Sequence, residues 1–528
     1  MNLVEILTEQ ARKRPKAAAI IETRRGRHHF TTFAELDQRS AKVARLLRHS
    51  GIQAGDPVLI FHAMSSELYA VLLGVFRLGA TAMFLDPSAG RIHIDRCCEL
   101  QAPKALVASP KAHLLRITSG ALRRIPRKFV FGAWLPGATP LTNAEKEPPL
   151  ETCERCAADT PALLTFTSGS TGLPKAAVRS HGFLLAQHRV LERHIELVAG
   201  EVDLTTLPVF LLANLASGVT SVIPDADLRA PGAVAPAPII AQIEQHRVTR
   251  CAASPAFFER LLASPNRESL RGLLKIYTGG APVFARLLDA LCDCAPDAKV
   301  EAVYGSTEAE PIAHLNARTL RPEDRLAMRQ GNGLLAGTPI ADIALRIIND
   351  QWGRPLGSLA IRDFERIQVP AGQSGEIVVA GEHVLKGYLH GRGNEETKFS
   401  ADGEVWHRTG DAGKLDAQGR LWLLGRSSAR IQDAHGDLYP FAVECVAMEH
   451  PEVRRGAFVN HEGKRLLAIE PHTGLDTRTR ETLRNDLAWA HVAAVVEVNR
   501  LPVDKRHNAK IDYPALRALL GNNIRGHT

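Results

Sequence analysis

The sequence TFTSGSTGLPK at residues 165–175 combines glycines, hydroxyl side chains and a lysine directly after an apolar run at residues 162–164. Glycines let main-chain N–H groups approach phosphate oxygens, hydroxyls add donors, and Lys175 supplies a compact positive charge. The spacing matches neither the GxxxxGK[ST] loop nor the GxGxxG loop, so those two types of nucleotide site are excluded. We predict that this loop binds a polyphosphate. The alternative is a flexible surface loop of ordinary composition.

Length and composition predict a soluble, multidomain protein. The chain has 528 residues, of which 45% are hydrophobic, and a single core stops growing near 250–300 residues, so we expect at least two domains. No apolar run approaches the ~18 residues needed to span a bilayer, and the N-terminus lacks a basic segment followed by an apolar one. These features predict a cytoplasmic protein without a transmembrane segment. The eight cysteines are too few for a disulfide framework.

The net charge of +8 raises the question of a polyanionic partner. The densest basic stretch, residues 116–128, contains no aromatic residue, and aromatic residues make up 5% of the chain. Single-stranded nucleic acids are usually bound on aromatic side chains, so we predict no nucleic-acid partner. On charge alone we also discount acidic membrane lipid as a partner, and we interpret the basic stretch as a solvated face.

The first part of the chain alternates between helix and strand patterns. Thr32 and Glu35 form a capping box, after which apolar residues recur at helical spacing up to Gly51. An apolar strand at residues 57–61, a helix at 67–78 and a strand at 82–85 follow. This alternation predicts an α/β fold with mostly parallel sheets, continuing to about residue 345. A Pro- and Ala-rich stretch at residues 230–238 reads as a rigid surface connection.

The predicted secondary-structure pattern changes after residue 379. Short strands and turns replace the helical patterns, and residues 416–420 predict a hairpin turn. A border near Gly425 and Arg426 would leave a C-terminal segment of ordinary small-domain size. We therefore predict a large domain at residues 1–425 and a small domain at residues 426–528.

Four further motifs follow the opening loop. They are YGSTE at residues 304–308, TGD at 409–411, GR at 425–426 and RHNAKI at 506–511. In this order they resemble the adenylate-forming superfamily of acyl-CoA synthetases, carrier-loading adenylation domains and luciferases, across nearly the whole chain. The resemblance implies a large N-terminal α/β domain with mostly parallel sheets and a small, mobile α+β C-terminal domain. It also implies an active site between the two.

The resemblance implies a role for each motif in binding ATP and Mg²⁺. It assigns the β- and γ-phosphates to the loop residues Thr167, Ser168, Gly169, Ser170, Thr171, Gly172 and Lys175, and the adenine ring to Gly279, Gly280, Ala281 and Tyr304. Asp411 and Arg426 would bind the ribose. The implied catalytic residues are Lys510, which would bridge carboxylate and phosphate oxygens, Thr307 at the α-phosphate and Glu308 at the metal. The residue types alone leave three alternatives open: core packing for Tyr304, and ordinary solvated side chains for Glu308 and Lys510.

Three departures from acyl-CoA synthetases indicate a branch of the family. Ser427 and Ser428 replace the usual hinge residue, residues 435–444 replace the thiol-access motif, and residues 502–510 replace a Ser-Gly-Lys segment. Together with VWHRTGD at 405–411, these resemble the β-lactone synthetases of olefin and β-lactone biosynthesis. The implied reaction is ATP-dependent activation of a 3-hydroxy, 2-alkyl fatty acid, followed by attack of its own 3-hydroxyl on the acyl adenylate. The resemblance also implies thiolase-like and reductase enzymes as pathway partners.

Two other functions stay open from the sequence. The first is a ligase that passes the acyl group to CoA or to a carrier protein. The second is a non-catalytic nucleotide-binding protein, which would not need Lys175, Glu308, Asp411 and Lys510 together.

We predict an apolar acyl pocket at Phe210, Leu211, Leu212, Ala213 and Asn214. The alternative for this run is plain core packing. His407 could deprotonate the substrate hydroxyl. A histidine in a strand is more often a packed residue, and we leave it out of the predicted catalytic set.

Overall fold

The computed structural model describes residues 2–86, 90–132, 134–168, 174–503 and 510–524 as a mixed α/β protein. The chain forms two compact units, one of Met1–Asp225 with Glu382–Glu395 and one of Ala226–Gly381 with Glu396–Thr528. The predicted domain border at residues 425 and 426 falls inside the second unit and stays a prediction. None of the helices in the described ranges is long and apolar enough to cross a membrane.

The first unit contains two sheets with helices between their strands. The strands are β1 Ala18–Arg24, β2 Arg27–Thr32, β3 Pro57–Phe61, β4 Thr81–Phe84, β5 Ala105–Ala108, β6 Arg127–Val130, β7 Thr139–Pro140, β8 Pro161–Ser168, β9 Pro174–Ser180, β10 Val202–Thr205 and β11 Thr220–Val222. The helices are α1 Val4–Lys13, α2 Phe33–His49, α3 Ser66–Arg77, α4 Arg91–Leu100, α5 Pro110–His113, α6 Leu115–Thr118, α7 Gly120–Arg124, α8 His181–His194 and α9 Pro208–Ser217.

Parallel pairing dominates this unit, as predicted. One sheet has the order β7-β6-β5-β3-β4-β8-β9, and only its last pair, β8 with β9, is antiparallel. The other has the order β10-β11-β1-β2. The parallel pairs need crossover helices, which explains the alternation seen in the sequence.

The capping box at the start of α2 is confirmed. Thr32 Oγ1 accepts from Glu35 N at 3.2 Å, and Glu35 Oε2 accepts from Thr32 N at 2.8 Å. The helix ends before Gly51, which has the positive φ of 87° favoured after a helix. Its buried face packs on α3, where a Cβ at Gly74 would lie 3.0 Å from Ser40 O. Glycine there permits the close approach of the two helices.

The second unit begins with parallel strands and continues with antiparallel ones. The strands after residue 225 are β12 Arg250–Ala253, β13 Lys275–Gly279, β14 Lys299–Ser306, β15 Ala309–Asn316, β16 Leu334–Pro339, β17 Ala344–Ile348, β18 Ser358–Leu359, β19 Gly375–Ala380, β20 Lys398–Ala401, β21 Glu404–Leu415, β22 Leu421–Arg426, β23 Ile431–Asp433, β24 Gly436–Leu438, β25 Val453–His461, β26 Lys464–Pro471 and β27 Ala494–Glu497. The helices are α10 Pro236–Gln245, α11 Pro255–Leu262, α12 Ala285–Cys294, α13 Pro322–Arg329, α14 Ile361–Ile367, α15 Asn394–Thr397, α16 Pro440–Met448, α17 Thr477–Asp486 and α18 Tyr513–Ile524.

The predicted βαβ alternation ends earlier than expected, at β14 rather than near residue 345. Strands β12, β13 and β14 are parallel, whereas β15, β16, β22, β21, β19 and β17 pair antiparallel in that spatial order. The reason is the two-residue turn after Ser306, which is too short for a crossover and forces the chain straight back. The hairpin turn predicted at residues 416–420 is confirmed between β21 and β22.

The C-terminal part of this unit has its own small α+β core. Strands β25 and β26 form an antiparallel hairpin, and β27 pairs parallel with β26. Helices α16 and α17 contribute Val443, Val446 and Leu483 to one face of that sheet, and α18 contributes Leu516 and Leu520 to another cluster.

Candidate active site

Three of the predicted nucleotide-binding side chains meet in the second unit. Tyr304 Oη donates to Asp411 Oδ2 at 2.8 Å, and Arg426 Nη1 donates to Asp411 Oδ1 at 2.8 Å. Arg426 Nη1 also donates to Thr409 O at 3.2 Å. A carboxylate offers about four lone-pair positions, so Asp411 can accept further donors, as a sugar diol would require. Core packing alone does not account for Tyr304, because its hydroxyl donates to the Asp411 carboxylate.

The electrostatics of the cluster keep each member in its donor or acceptor form. Burial and the Asp411 carboxylate raise the pKa of Tyr304 well above its usual range, so the phenol stays a donor. The Asp411 carboxylate raises the pKa of Arg426.

Strand register places these side chains. Asp411 on β21 and Arg426 at the end of β22 are direct cross-strand partners. Gly410, between Thr409 and Asp411 in the chain, has a φ of 72°. A Cβ at this residue would lie 3.0 Å from Arg426 Nη2 and from Trp352 Cη2. Glycine is therefore needed at residue 410 both for the backbone and for the space beside the guanidinium.

A buried ion pair anchors the strand that carries Asp411. Arg408 Nε and Nη2 donate to Glu376 Oε1 and Oε2 at 2.8 and 2.7 Å, and neither side chain is exposed. Arg408 Nη1 donates to Arg354 O at 2.6 Å, and its guanidinium lies over the Trp352 ring at 5.3 Å. The sequence showed Arg408 only as part of the VWHRTGD motif. It gave no signal for Glu376, because no spacing rule links residues 32 positions apart on neighbouring strands.

The predicted adenine turn follows β13. Gly279 pairs with Val303 on β14, and a Cβ on Gly279 would collide with the Val303 carbonyl oxygen. Gly280 has a φ of 79° with open space where its Cβ would stand. The backbone can thus come close to β14 beside Tyr304, and Ala281 continues the turn. Its contact with an adenine ring stays a prediction.

Thr307 and Glu308 form the two-residue tip of the β14–β15 hairpin. The Ser306 hydroxyl accepts from Glu308 N at 3.3 Å and from Ala309 N at 3.2 Å, which fixes the turn. Both tip residues are partly exposed. Within the described residues no three His, Cys, Asp or Glu side chains form a metal cage. A lone carboxylate fits Mg²⁺ all the same, because that ion is usually held by one or two carboxylates together with substrate phosphates.

His407 is a packed residue of β21. Its Nδ1 lies 3.2 Å from Thr397 O, and its cross-strand partner is the buried Lys398 on β20. Burial, reinforced by the Lys398 charge, lowers the pKa of His407 to about 3. The imidazole is neutral at physiological pH, and a proton on it is strongly disfavoured. Its exclusion from the predicted catalytic set agrees with this environment.

The described ends of the phosphate loop belong to the first unit. Strands β8 and β9 pair so that Thr167 lies opposite Lys175 and Ser168 opposite Pro174. Gly169, Ser170, Thr171 and Gly172 lie outside the described residues. The Lys175 side chain crosses Gly393, where a Cβ would stand 2.5 Å from Lys175 Cδ and 2.8 Å from Nζ. Sequence reasoning missed Gly393, although its φ of 93° also requires glycine.

Lys510 lies in the C-terminal part of the second unit. It is exposed and directly precedes Ile511, which forms a bridge with Val503. Tyr513 Oη then donates to Glu444 Oε1 at 2.8 Å, fixing α18 to α16. Burial raises the pKa of Glu444 to about 7. The catalytic role of Lys510 stays a prediction.

The predicted acyl-pocket residues lie on α9. Leu211 is fully buried in the main core cluster of the first unit. Asn214 Nδ2 donates to Asp203 Oδ2, Thr205 Oγ1 and Ser221 Oγ at 2.8–3.0 Å, and Phe210 is buried as well. These contacts are those of core residues, which was the stated alternative. An acyl contact at Phe210, Leu211 or Asn214 stays a prediction.

Comparison with known proteins identifies the family. The model of the family described as AMP-binding enzyme matches residues 7–389. The chain belongs to the AMP-binding enzyme family. Olefin beta-lactone synthetases of Xanthomonas campestris pv. campestris and Stenotrophomonas maltophilia are each 32% identical to it, over 97% of this chain and 96% of theirs. A rice 4-coumarate–CoA ligase is 27% identical over 81% of this chain and 75% of its own.

Solved structures of similar proteins support the same fold. The amide bond synthetase of Marinactinospora thermotolerans has a TM-score of 0.80 at 22% identity, covering 98% of this chain and 99% of its own. An anthranilate CoA ligase in complex with anthranoyl-AMP has a TM-score of 0.81 at 18% identity, covering 99% and 98%. The predicted fold class and the family resemblance are therefore confirmed, and the chain is an acyl-adenylate-forming ligase.

Breaking the buried ion pair should destabilise the second unit strongly. Arg408→Met leaves the Glu376 carboxylate buried and unpaired, which we expect to lower the free energy of unfolding by about 3–5 kcal/mol. The double variant Arg408→Met/Glu376→Met should recover much of that loss, since it leaves no buried charge. Urea unfolding followed by circular dichroism measures both. The control is Arg366→Met in the exposed pair with Asp363, which should change little. Equal losses in the single and double variants would contradict this role for the pair.

His407 should make stability depend on pH below neutrality. Because its pKa is about 3 in the folded protein and about 6.5 when unfolded, only the unfolded chain takes up the proton between these values. This contribution to stability is present above pH ~6.5 and is lost as the pH falls, by up to about 1.4 kcal/mol per unit. In His407→Gln the free energy of unfolding should lose this dependence, whereas the exposed control His29→Gln should keep it. Parallel pH curves for wild type and His407→Gln would refute the assignment.

Proposed function

We propose that the protein is an ATP-dependent β-lactone synthetase acting on a 3-hydroxy fatty acid with a 2-alkyl branch. The observation that carries this proposal is the 32% identity to two olefin beta-lactone synthetases along 97% of the chain. The Tyr304–Asp411–Arg426 cluster supports the nucleotide-binding half of the reaction. The replaced hinge and thiol-access segments support an acyl acceptor other than an external thiol.

The adenosine end of ATP is held by the second unit. Asp411 accepts hydrogen bonds from the ribose hydroxyls, with Arg426 and Tyr304 fixing the orientation of its carboxylate. The turn at Gly279, Gly280 and Ala281 presents its backbone to the adenine ring. Because Tyr304 and Arg426 both hydrogen-bond the Asp411 carboxylate, that carboxylate is held in one orientation for the nucleotide.

In the first step an oxygen of the substrate carboxylate attacks the α-phosphorus, and the bond from that phosphorus to pyrophosphate breaks. The approach of two anions demands donors at the developing charge. Thr307 donates to the α-phosphate, and Lys510 bridges the α-phosphate and the attacking carboxylate. The TSGSTG residues and Lys175 hold the leaving pyrophosphate.

Glu308 is the residue that would hold Mg²⁺. Its carboxylate sits at the fixed tip of the β14–β15 hairpin next to Thr307. When bound, the ion neutralises charge on the phosphates.

In the second step the 3-hydroxyl oxygen attacks the acyl carbon and the bond from that carbon to AMP breaks. The hydroxyl proton leaves with the departing phosphate or to water, and the products are a four-membered lactone and AMP. Because the hydroxyl and the acyl carbon belong to one molecule, the reaction needs no encounter between two molecules. This lowers the entropic part of the activation barrier. We assign no proton transfer to His407, because its neutral form is so strongly favoured.

A CoA ligase is the second candidate. It is supported by the 27% identity to a 4-coumarate–CoA ligase and the 28% identity to a feruloyl-CoA synthase of Amycolatopsis. The activation step would be the same and only the acceptor would differ. A cytoplasmic location, and thiolase-like and reductase enzymes acting before this one, complete the proposal.

Product analysis separates the two candidates. Purified protein with ATP, Mg²⁺ and a 2-alkyl-3-hydroxy fatty acid should release AMP without CoA and form a product one water lighter than the acid, with lactone infrared absorption. The matched control is the same acid without its 3-hydroxyl, which should form acyl adenylate but no lactone. A thioester that appears only with CoA would overturn the lactone proposal in favour of the ligase. No AMP with any acid would contradict adenylation itself.

Lys510→Ala should separate catalysis from binding. We expect the rate of ATP–pyrophosphate exchange to fall on the order of 10²- to 10³-fold, because a cation at the developing charge is lost. ATP binding, measured by calorimetry, should remain within about tenfold, since its other contacts are intact. Lys464→Ala removes another exposed lysine of the same region and should leave both quantities unchanged. An unchanged exchange rate in Lys510→Ala would remove Lys510 from the mechanism.

A further inference from the structure

Exposed apolar side chains are concentrated in one short part of the first unit. Of the ten large hydrophobic side chains that the structure describes as exposed, four lie between residues 92 and 134. Ile92 is 62% exposed, Leu114 59%, Ile117 71% and Trp134 75%. Single exposed apolar residues are ordinary, but a group that includes a tryptophan calls for an explanation.

Contacts within the unit bring the segments that carry these side chains together. Asp95, one turn after Ile92 on α4, accepts from Ser119 Oγ and from Ala121 N, which ties α4 to the start of α7. Arg123 Nη2 donates to the carbonyl of Ile117 at 2.9 Å. Leu114 and Ile117 stand three residues apart, on one side of α6.

The Trp134 segment joins the same surface. The Arg116 guanidinium lies against Gly137, with Nη2 3.4 Å from the position a Cβ would take there. Leu135 and Ala138 form a bridge that folds the chain next to Trp134 into a tight turn. We name this region the α6 surface. It consists of four exposed apolar residues, Ile92, Leu114, Ile117 and Trp134, and the exposed basic residues Lys111, Arg123 and Arg124.

The α6 surface is predominantly basic. Residues 91–144, which carry all four apolar side chains, contain nine Lys and Arg residues and two acidic residues, Asp95 and Glu99. Arg123 and Arg124 on α7 and Lys111 on α5 are exposed. From the sequence alone these charges indicate a solvated face. The apolar side chains standing among them change that interpretation.

We propose that the α6 surface docks the protein on an anionic lipid surface. Lipid matches both features at once, since headgroup phosphates pair with guanidinium groups while the interfacial region accepts Trp, Leu and Ile side chains without a shaped groove. An acidic protein would satisfy the charges but would need a complementary pocket for each apolar side chain. Exposure, contacts and charge carry this proposal, which does not rest on the proposed function.

The expected attachment is reversible and sensitive to salt. Four apolar side chains insert shallowly, and each basic residue near an anionic membrane contributes about fivefold to affinity. The charged part falls off within a Debye length of ~10 Å at 0.1 M salt. Binding should therefore need both anionic lipid and low to moderate ionic strength.

Vesicle sedimentation of the purified full chain tests the proposal. Vesicles of phosphatidylcholine alone are compared with vesicles containing 30% phosphatidylglycerol, at about 0.1 M and 0.5 M salt. We expect binding to the anionic vesicles only, with loss at high salt. The double variant Ile117→Ser/Trp134→Ser should bind at least about tenfold more weakly. Arg123→Gln/Arg124→Gln should lose about 25-fold at low salt.

Two matched controls separate this surface from general effects. Val198→Ser/Leu274→Ser removes two other exposed apolar side chains, 54% and 53% exposed, and should bind like wild type. Arg12→Gln/Arg39→Gln changes the net charge equally on exposed residues of α1 and α2 and should also bind like wild type. ATP–pyrophosphate exchange with a water-soluble acid should be the same in all four variants, which shows that each is folded.

Three results would overturn the proposal. One is no binding of wild type to anionic vesicles. Another is equal binding by Ile117→Ser/Trp134→Ser and wild type. The third is a wild-type dimer in light scattering that dissociates in that variant while vesicles are not bound, which would make the α6 surface a contact between copies of the chain. All three can arise with lactone synthesis intact, so failure here leaves the proposed function standing.

Discussion

The bidentate pair between Arg408 and Glu376 is the interaction on which the Tyr304–Asp411–Arg426 cluster depends. Both charges are wholly buried, and burial raises the pKa of Glu376 even with Arg408 beside it. Such a pair gains stability only when its geometry and its remaining hydrogen bonds are complete. Here the Arg354 carbonyl and the Trp352 ring complete the guanidinium environment. The pair fixes the strand three residues before Asp411, so the Asp411 carboxylate has a rigid base.

The topology explains why the cluster forms where it does. Parallel strands end together at one edge, and β13 and β14 deliver the Gly279 turn and Tyr304 there. The direct return of the chain after Ser306 then starts an antiparallel series that carries β21 and β22 into the same sheet. Asp411 and Arg426 face each other because they are cross-strand partners. Three motifs more than a hundred residues apart at their extremes thus meet through strand pairing alone.

The sequence predicted features whose interacting residues are close together in the chain, and it missed features whose partners are far apart in the chain. The α2 capping box and the hairpin turn at residues 416–420 were correct, because each is specified by a few adjacent residues. Motif order predicted Tyr304, Asp411 and Arg426 as site residues, but their hydrogen bonds to one another became visible only with the strand register. Glu376 and Gly393 carried no local signal, since their importance arises from partners distant in the chain. The early end of the βαβ pattern was missed because the direct return of the chain depends on the two-residue turn at Thr307 and Glu308, which was interpreted only as part of a motif.

The residue type alone did not predict the environment of Asn214 or that of the side chains on the α6 surface. Asn214 was assigned to an acyl pocket as the last residue of an apolar run, yet its amide donates to three acceptors in the core. The basic stretch at residues 116–128 looked like an ordinary solvated face, because sequence does not reveal that Leu114, Ile117 and Trp134 fail to find a core. A buried polar group and a group of neighbouring exposed apolar side chains are both informative, because each departs from the usual distribution between core and surface. For Asn214 the reason is an internal network, which the structure supplies. On the α6 surface the four apolar side chains stay exposed among the described residues, and the proposed lipid surface would cover them.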